Sequence, residues 1–405
     1  MNNISLGLKD ALSMTLENIK PLPVESVAVA DSVDRIAASD LYALVDSPST
    51  DSSLKDGYAV LSSEVAEATS ERPVCLHLGG CLAPGGVERD IELKPGTAIR
   101  ILTGARIPAG ADAVVAEEFV RQDGGSVSVT TFAEPGRNIL PHGIDVSLQK
   151  CIIRKGSQIS PGMAGLLAAA GHSAVPVFKT PSVAVIGTGD EIVVPGDPMS
   201  EGKLYASNAV TLAAWCHRYR MRTRVMVAKD DHEAIFNIIN DMSSETDAIV
   251  TSGGAWTGDR DMMARVLEEL GWRLVFHRIR IGPGKATGFG MLNDKPVFIL
   301  PGGPSSNLMG FLQIALPGLL ALSGHTGPPF PRINARLASE LRGRENDWSH
   351  FFFGTLRQDE GLPVFHPFEY RSRLQSIAEA TAVAEIPEGT GYLPEGRVIP
   401  VQMLK

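Results

Sequence analysis

The sequence lacks the cysteine patterns that would place it in a metal-binding or disulfide-rich class. Its four cysteines, Cys75, Cys81, Cys151 and Cys216, form no CxxC pair and no Cys/His cluster at zinc spacing. We therefore expect free core thiols in a reducing compartment. With 405 residues, 44% of them hydrophobic, the chain can bury a large core without disulfides or a structural metal.

The charge balance, the N-terminal segment and the hydrophobic runs predict no nucleic-acid surface, no leader peptide and no membrane span. The 37 Lys and Arg residues are outnumbered by 46 Asp and Glu residues, which disfavours a nucleic-acid surface because such surfaces need clustered cations. The N-terminal segment carries Lys9, Asp10 and Glu17 and predicts an amphipathic helix, not a signal peptide. We expect no apolar run of about 18 residues, the length that a membrane span needs, and hence a cytoplasmic protein.

The first half of the chain is rich in strands punctuated by Gly and Pro. From about residue 24 to 147, segments such as Thr97–Leu102, Ala113–Ala116 and Ser126–Thr131 predict strands. Ser160 followed by proline then predicts the start of a helix, and Gly171 predicts its end.

After residue 181 the pattern changes to strands that alternate with helices. Buried-strand runs at 182–187, 223–228 and 247–251 are each followed by helical periodicity, and the series ends with a strand at 295–300 and a helix at 305–321. This alternation predicts a parallel sheet flanked by helices. A proline-rich linker at 325–332 precedes a segment, 333–405, without clear helical periodicity over most of its length, which suggests a small β domain.

Polar and glycine-rich loops follow these strands. They are TGDE (188–191), KDD (229–231), SGGAWTGDRD (252–261), GPGK (282–285, after a strand predicted to run through Ile281) and PGGPSS (301–306). Since ligands bind outside the carboxyl ends of strands in such sheets, we expect these loops to converge. They carry the acids Asp190, Glu191, Asp230, Asp231, Asp259 and Asp261.

Clustered carboxylates repel each other unless a cation neutralises them, and carboxylates with water suit Mg²⁺ beside substrate phosphates. Glycine N–H groups at helix N-termini suit anions. The loops together therefore predict a phosphate-bearing ligand with Mg²⁺. Each feature alone also fits a plainer interpretation, since Asp190 or Asp230 could cap a helix and a Gly-Gly pair could be a packing turn.

The same loops, with further motifs, resemble a known family. The motifs are DSSLKDGYAV (51–60), RILTGARIPAGADAVVAEE (100–118), GRNILPHGIDVS (136–147), GTGDEI (187–192), TSGGAWTGDRD (251–261), GPGK (282–285) and LPGGP (300–304). Over essentially its whole length the chain is similar to the molybdopterin molybdenumtransferases of the MoeA type, which are related to the C-terminal domain of gephyrin.

This resemblance implies a multidomain α/β plus β fold. A molybdopterin-binding-type α/β domain with a parallel-rich sheet would span 179–324, and an inserted β-rich domain would span 24–147. A small split helical linker domain would join 1–23 to 148–178, and a C-terminal β-barrel-like domain would span 333–405. The resemblance also implies a homodimer whose active cleft is shared between subunits.

The implied reaction takes adenylated molybdopterin and molybdate and yields molybdenum cofactor and AMP, with Mg²⁺ involved. A molybdopterin adenylyltransferase would act upstream. The implied catalytic residues are Asp51, Asp145, Asp190, Glu191, Asp230, Asp261 and Lys285. Mg²⁺ would be held by Asp190, Glu191, Asp230 and Asp261. The implied cofactor-binding residues are Asp56, Thr103, Thr188, Gly189, Ser252, Gly253, Gly254, Pro301, Gly302, Pro304, Ser306 and Ser372. A loop-capping role for Asp51 and an ordinary surface hydroxyl at Ser372 stay open.

The chain departs from the family pattern at several positions. Gly282 and Phe353 stand where a lysine and an arginine are expected, Gly303 replaces an asparagine, Lys55 a methionine and Ile144 a glutamate. A hydrogen bond to a charged group contributes about 1.5–3 kcal/mol, so the two lost cations would weaken oxyanion binding.

Two alternatives therefore stay open. One is a divergent paralogue that binds pterin or nucleotide as a carrier, regulator or scaffold. The other is an unrelated Mg²⁺-dependent phosphoryl or nucleotidyl transferase. The choice between molybdenum and tungsten is also open, because the two oxyanions are nearly isosteric.

Overall fold

The computed structural model describes residues 5–85, 91–254, 262–359, 361–368 and 373–404. Its helices are α1 (Leu8–Asn18), α2 (Pro161–Ala169), α3 (Ser207–Arg218), α4 (His232–Glu245), α5 (Met262–Glu269), α6 (Pro304–Gly310), α7 (Leu316–Leu322) and α8 (Arg373–Glu379). Short 3₁₀ turns occur at Val29–Ser32, Ser62–Glu64 and Glu117–Phe119, and a π-helical segment, Phe311–Ala315, joins α6 to α7.

The strands are β1 (Val24–Ala28), β2 (Leu41–Tyr42), β3 (Ser52–Ser53), β4 (Gly57–Val60), β5 (Val74–Leu82), β6 (Thr97–Ile101), β7 (Ala113–Ala116), β8 (Val120–Asp123), β9 (Ser126–Val129), β10 (Ile139–Leu140), β11 (Cys151–Ile153), β12 (Ala174–Phe178), β13 (Ser182–Thr188), β14 (Ile192–Val193), β15 (Leu204–Tyr205), β16 (Arg222–Ala228), β17 (Ala248–Ser252), β18 (Arg273–His277), β19 (Ile281–Gly282), β20 (Gly288–Leu292), β21 (Lys295–Leu300), β22 (Arg332–Leu337), β23 (Leu341–Arg342), β24 (Ser349–Arg357), β25 (Val364–Pro367), β26 (Ala382–Ile386), β27 (Tyr392–Leu393) and β28 (Val398–Met403).

The chain folds into two compact units. The larger unit comprises Met1–Glu25, Asp34–Ala38 and Pro176–Lys405, and the smaller unit comprises Ser26–Val33 and Ser39–Val175. Helix α1 belongs to the larger unit and α2 to the smaller one. The finer division into four domains stays a prediction.

A six-stranded mixed sheet is the centre of the larger unit, with the order β16-β13-β17-β21-β20-β18. Strand β13 pairs in parallel with β16 and β17, and β17 pairs in parallel with β21. Strand β20 is antiparallel to both β21 and β18. The parallel-rich α/β sheet predicted from the alternation of strands and helices is confirmed.

Side chains of this sheet alternate between two apolar cores. Along β13, Val183 and Val185 lie in one core, whereas Ala184 and Ile186 lie in the other. The first core also contains residues of α1, α3, α6 and α7, and the second contains residues of α4 and α5. Because both faces of β13 are covered, its sequence is a continuous apolar run and not an alternating one.

The helix that follows β21 corrects an expectation from the sequence. Residues Pro304–Leu322 form one 19-residue helical stretch that is long and apolar enough to cross a membrane, although no such run was expected. In its most apolar window, however, 78% of the residues are buried inside the protein. The stretch therefore fits a core helix, which packs against the sheet and supplies many residues of the first core.

A closed five-stranded barrel forms the C-terminal part of the larger unit. Strand β24 pairs with β25 and β26, β22 pairs with β25 and β28, and β26 pairs with β28. The expected β-barrel-like domain is confirmed. It also contains the short helix α8, which the sequence pattern did not predict.

Strand β19 differs from the prediction. A single strand through Ile281 was expected to belong to the α/β sheet, but β18 ends at His277, and β19 pairs in parallel with barrel strand β24. Arg278 between them has a φ of 70°, which extended strand backbone does not adopt. The strand is therefore interrupted, and the chain crosses to the barrel.

The smaller unit is built on a second six-stranded sheet, with the order β7-β4-β6-β5-β9-β8. Strands β6, β7 and β9 confirm the three strands predicted in this segment. Helix α2 begins as predicted, since the Ser160 hydroxyl accepts a hydrogen bond from the Met163 N–H at 3.2 Å. It ends before Gly171, whose φ is 94°, as expected for a glycine after a helix C-terminus.

All four cysteines are free, as predicted, but only one is a core thiol. Cys216 is buried, Cys151 is half-buried, and Cys75 and Cys81 are exposed. The expectation of core thiols was wrong for these three. Cys75 and Cys81 lie on β5, which has a solvent-exposed side, and Cys151 begins the three-residue strand β11.

Candidate functional site

The parallel strands bring four of the five predicted loops to one edge of the α/β sheet. In the parallel register, Thr188 at the end of β13 pairs with Ala228 of β16, and Gly187 pairs with Ser252 of β17. Ser252 in turn pairs with Leu300 at the end of β21. The loops beginning at 188, 229, 252 and 301 therefore share the carboxyl edge, as predicted.

Two asparagines that the sequence interpretation missed hold these loops together. The Asn307 amide donates to the Ser252 hydroxyl and to the Pro301 carbonyl, both at 2.9 Å. The Asn208 amide donates to the Gly302 carbonyl at 2.8 Å and to the Ser252 hydroxyl at 3.3 Å. The Ser252 hydroxyl thus accepts hydrogen bonds from both asparagines and links the loops at this edge of the sheet. These asparagines lie far from Ser252 in sequence, so only the fold reveals their role.

Gly253 and Gly254 are required by a close approach of two loops. Gly253 has a φ of 103°, and a Cβ built on it would lie 2.4 Å from the Thr188 carbonyl oxygen. Gly254 has a φ of 64°, and its Cβ would lie 3.2 Å from Cβ of Met263. Few L-residues adopt such φ values, so the absence of side chains lets the loops after β13 and β17 pack together.

The Thr188 hydroxyl is an orphan at this edge. Thr188 is 3% exposed, and its Oγ1 has no hydrogen-bond partner among the residues that the structure describes. A Cβ on Gly253 would lie 2.8 Å from this hydroxyl, so the hydroxyl borders the glycine turn. Buried polar groups are normally paired, and this one therefore fits a ligand or an ordered water.

Three of the four predicted metal ligands lie close together. The Asp230 N–H donates to Asp190 Oδ1 at 3.2 Å. Burial, and then the negative charges of Asp190 and Glu191, raise the pKa of Asp230. These acids therefore repel one another in the absence of a cation, as predicted. Asp231, in contrast, caps α4 by accepting from the Ala234 N–H at 3.0 Å.

The carboxylates of this site are the type of ligand that Mg²⁺ prefers, but they do not form a complete coordination sphere. Within the described part of the chain, no three acids, histidines or cysteines converge into a ready metal cage. Mg²⁺ commonly takes only one or two carboxylates, with water and substrate phosphates as its other ligands. The acid pair Asp190 and Glu191 is exposed and available for such a shell. Asp261, the fourth predicted ligand, and Asp259 lie outside the described residues.

The loop that carries Lys285 approaches α6 from a different strand than predicted. The GPGK loop follows barrel strand β19 and not a strand of the α/β sheet. A Cβ on Gly284 would nevertheless lie 3.5 Å from the Ser306 carbonyl oxygen, so the loop packs beside α6. Lys285 is exposed, and its Nζ lies 5.8 Å from the centre of the Trp348 ring, a cation–π distance.

The two positions that lack the family's cations are filled in other ways. A Cβ on Gly282 would lie 2.8 Å from Nδ1 of His350, so the imidazole occupies the space where a side chain would start. Phe353 is 6% exposed and packs in the first apolar core with Ile281 and Val383. Neither position leaves room for a cation without rearrangement.

In the smaller unit, the predicted site residues have local partners. Asp56 Oδ1 accepts from the Thr103 N–H at 2.6 Å and from its hydroxyl at 2.8 Å, and this backbone bond lowers the pKa of Asp56. Asp51 Oδ1 accepts from the His142 N–H at 2.7 Å, which favours a loop-stabilising role beside any other. Asp145 is exposed.

The remaining predicted binding residues lie beside the acids, at the start of α6 or outside the described residues. Gly189 has a φ of 148°, and its Cβ would lie 2.5 Å from a Glu191 carboxylate oxygen. Pro304 is the first residue of α6 and Ser306 lies in its first turn. Ser372 lies outside the described residues. The binding roles of all these residues stay predictions.

Known family models match nearly the whole chain. The MoeA N-terminal region (domain I and II) matches residues 6–171, a probable molybdopterin binding domain matches 184–321, and the MoeA C-terminal region (domain IV) matches 334–404. The chain belongs to the MoeA family. The family resemblance carried by the sequence motifs is therefore confirmed, and so is the multidomain fold that it implied.

Individual relatives agree with this assignment. The molybdopterin molybdenumtransferase of Bacillus subtilis is 31% identical over 389 residues, which cover 94% of this chain and 90% of that protein. Molybdopterin molybdenumtransferase 2 of Mycobacterium tuberculosis is 30% identical over 387 residues, covering 93% of this chain and 94% of that protein. A crystal structure of the molybdopterin biosynthesis MoeA protein from Pyrococcus horikoshii covers all of both chains with a TM-score of 0.83 and 33% identity.

Proposed function

We propose that this protein is a molybdopterin molybdenumtransferase, which inserts molybdate into adenylated molybdopterin and releases AMP in a reaction that needs Mg²⁺. Membership of the MoeA family supports a role in molybdenum cofactor biosynthesis. The observation that carries the reaction is the carboxyl edge of the α/β sheet, where mutually repelling acids share one edge with glycine turns and an orphaned hydroxyl.

The glycine turns would bind the pyrophosphate linkage of the adenylated pterin. Glycine has no side chain, so its backbone N–H lets an anion approach closely, and Gly254 and Gly302 would serve in this way. The Gly253 N–H instead donates to the Leu300 carbonyl at 3.1 Å and ties the turn to β21. The Thr188 hydroxyl would donate to a phosphate oxygen, which gives this orphaned group its partner. The asparagine contacts that hold the Ser252 hydroxyl keep the two turns in register before substrate arrives.

Asp190, Glu191 and Asp230 would hold Mg²⁺, and Asp261 is the further predicted ligand. When bound, the ion would neutralise these acids and polarise the phosphoryl oxygens as AMP departs. The pKa of Asp230 is raised first by burial and then by the negative charges of Asp190 and Glu191. The second cause supports this assignment, because a bound cation would neutralise those charges.

Lys285 would attract molybdate, a dianion, and its loop packs beside α6 at the Gly310 N–H and the Ser306 carbonyl. The proposal also includes a cytoplasmic homodimer whose active cleft is shared between subunits. In it, Asp51 and Asp145 would approach the sheet edge of the partner subunit. A molybdopterin adenylyltransferase would supply the substrate, and neither nucleic acid nor a membrane is an expected partner.

A second candidate is a paralogue that binds pterin or nucleotide without completing insertion. The observation that favours it is specific: His350 fills the space beside Gly282, and Phe353 is buried in the core. Both positions thus lack a cation that could hold the oxyanion. This candidate predicts tight pterin binding without oxyanion-stimulated release of AMP.

Replacement of one acid tests the proposal against a matched control. We expect Asp190→Asn to slow Mg²⁺-dependent AMP release from adenylated molybdopterin at least about tenfold, as expected for the loss of a charged ligand. Asp197→Asn, at an exposed acid in the segment after β14, should release AMP at the wild-type rate. Equal rates for both variants and the wild type would remove the acid cluster from the reaction.

A further inference from the structure

The Ser252 hydroxyl contacts one asparagine from each of two helices. Asn307, in α6, donates to Ser252 Oγ at 2.9 Å, and Asn208, in α3, donates to the same oxygen at 3.3 Å. Ser252 is 3% exposed and Asn307 is 1% exposed. The hydroxyl and the closer of the two amides are therefore almost completely removed from solvent.

Backbone carbonyls settle the direction of both contacts. The amide nitrogen of Asn307 also lies 2.9 Å from the Pro301 carbonyl oxygen. The amide nitrogen of Asn208 lies 2.8 Å from the Gly302 carbonyl oxygen. A carbonyl oxygen only accepts, so the amide atom beside it has to be the nitrogen and not the amide oxygen. Each amide therefore offers its second N–H to Ser252, and the hydroxyl accepts from both.

These two accepted hydrogen bonds leave the Ser252 hydroxyl with one unused function. A serine hydroxyl has two lone pairs and one hydrogen. Both lone pairs face amide N–H groups, so only the hydrogen remains, and within the described ranges of the chain no acceptor takes it. Buried polar groups normally have a partner. An ionised phosphate oxygen, which only accepts, fits this hydrogen, and its charge strengthens the bond.

We propose that Asn307 and Asn208 are positioning residues that fix the Ser252 hydroxyl as a donor to a phosphate oxygen of the adenylated pterin. This inference rests on the proposed function and adds to it the direction of one hydrogen bond. Without the amides, the hydroxyl would rotate freely and bind donors and acceptors alike. With them, it selects a group that only accepts, such as an anion.

Reversal of the closer amide contact tests this direction. Asn307→Asp keeps the size of the side chain but presents a carboxylate oxygen to Ser252, so the hydroxyl would donate to that carboxylate and no longer to the phosphate. We expect the Kd of the full-length protein for adenylated molybdopterin, measured by titration calorimetry, to rise about tenfold to a hundredfold. Repulsion between the new carboxylate and the phosphate contributes to this rise, as does the lost contact with the Pro301 carbonyl.

The same substitution in a Ser252→Ala background isolates the part that acts through the hydroxyl. Ser252→Ala alone should raise the Kd about tenfold. In that background Asn307→Asp retains the charge repulsion and the lost carbonyl contact, but it has no hydroxyl to reverse. Its effect on the Kd should therefore be at least about fivefold smaller than in the wild type. A role confined to tying the loops together predicts equal effects in both backgrounds.

Two further variants guard against an effect on folding. Asn208→Asp, whose contact with Ser252 is longer, should show the same dependence on the hydroxyl at a smaller size. Asn18→Asp is the matched control, because the Asn18 amide also donates to a backbone carbonyl, that of Met14, at 2.8 Å, in a helix without any proposed site residue. It should bind the pterin like the wild type. Circular dichroism and urea denaturation check that each variant is folded.

The outcomes separate this inference from the proposed function. If Ser252→Ala binds the pterin as tightly as Asn18→Asp, the hydroxyl hydrogen has only water as a partner and the inference is overturned. Equal effects of Asn307→Asp in both backgrounds overturn it as well. In either case, molybdate-stimulated AMP release by the wild type still supports the proposed function.

The converse result is equally distinct. If the effect of Asn307→Asp depends on Ser252 but no oxyanion stimulates AMP release, the direction of the hydrogen bond stands and the insertase function fails. If the wild type binds no adenylated molybdopterin, both are overturned.

Discussion

Gly253→Ala is the perturbation for which the structure gives the sharpest expectation. Gly253 begins the turn after β17, with a φ of 103° and with the Thr188 carbonyl oxygen 2.4 Å from the position of the added Cβ. The new methyl group therefore meets a backbone atom and not a flexible side chain. Either the turn or the loop after β13 has to move by more than about half an ångström.

The cost has two parts. A non-glycine residue in a sparsely populated backbone region costs about 1–3 kcal/mol, and overpacking a close contact typically costs about 1–3 kcal/mol more. We therefore expect the free energy of unfolding of the larger unit to fall by at least about 2 kcal/mol. Because the two loops flank the Thr188 hydroxyl, affinity for adenylated molybdopterin should fall as well.

Urea denaturation followed by circular dichroism measures the stability term, and calorimetry with adenylated molybdopterin measures binding. Gly302→Ala is the matched stability control, since its Cβ would meet only Cα of Gly253 at 3.8 Å and its φ is ordinary. Its unfolding free energy should stay within about 0.5 kcal/mol of the wild type. If Gly253→Ala is as stable as Gly302→Ala and binds the pterin normally, the close approach of the two loops is refuted.

Three further predictions concern the rest of the larger unit. Burial raises the pKa of the Cys216 thiol to about 12, so a thiol reagent at pH 8 should label exposed Cys75 and leave Cys216 unlabelled until urea unfolds the protein. The buried amides of Gln313 and Gln402 bond each other at 2.8 and 3.2 Å, so replacing either alone with Leu should cost about 1–3 kcal/mol, whereas the double variant should recover most of that cost in a double-mutant cycle. Burial, and then the neighbouring Arg278 guanidinium, lower the pKa of His277 below 6.5. The stability that the neutral imidazole contributes is therefore complete above pH 6.5 and is lost as the pH falls. His277→Leu should lose less unfolding free energy than the wild type between pH 7.5 and pH 5 in urea titrations.

The elements with strong periodicity could be predicted from the sequence. The run at 182–187 is apolar because both faces of β13 are buried, and the polar loops after the parallel strands meet because parallel strands end on the same edge. The acids at 190, 191 and 230 were therefore placed together correctly. The capping role of Asp231 was also readable in principle, since an acid directly before a helical segment is a common N-cap.

Other features depend on single backbone angles or on distant contacts, which periodicity does not report. The break at Arg278 moves Ile281 and the GPGK loop from the α/β sheet to the barrel, although the residues before and after it are equally apolar. Asn208 and Asn307 converge on Ser252 from two different helices. The sequence revealed the loss of cations at two family positions, but the contact of His350 with Gly282 required the fold.

The proposed function requires this protein to complete molybdenum insertion at the carboxyl edge of its α/β sheet. The most direct measurement incubates the wild-type protein with adenylated molybdopterin and Mg²⁺, with and without molybdate, and follows AMP release together with the metal bound to the pterin. We predict that molybdate stimulates AMP release and that one molybdenum is transferred to each pterin. If the pterin binds tightly but neither AMP release nor metal transfer occurs with molybdate or tungstate, the protein is not an insertase, and the result favours the binding paralogue.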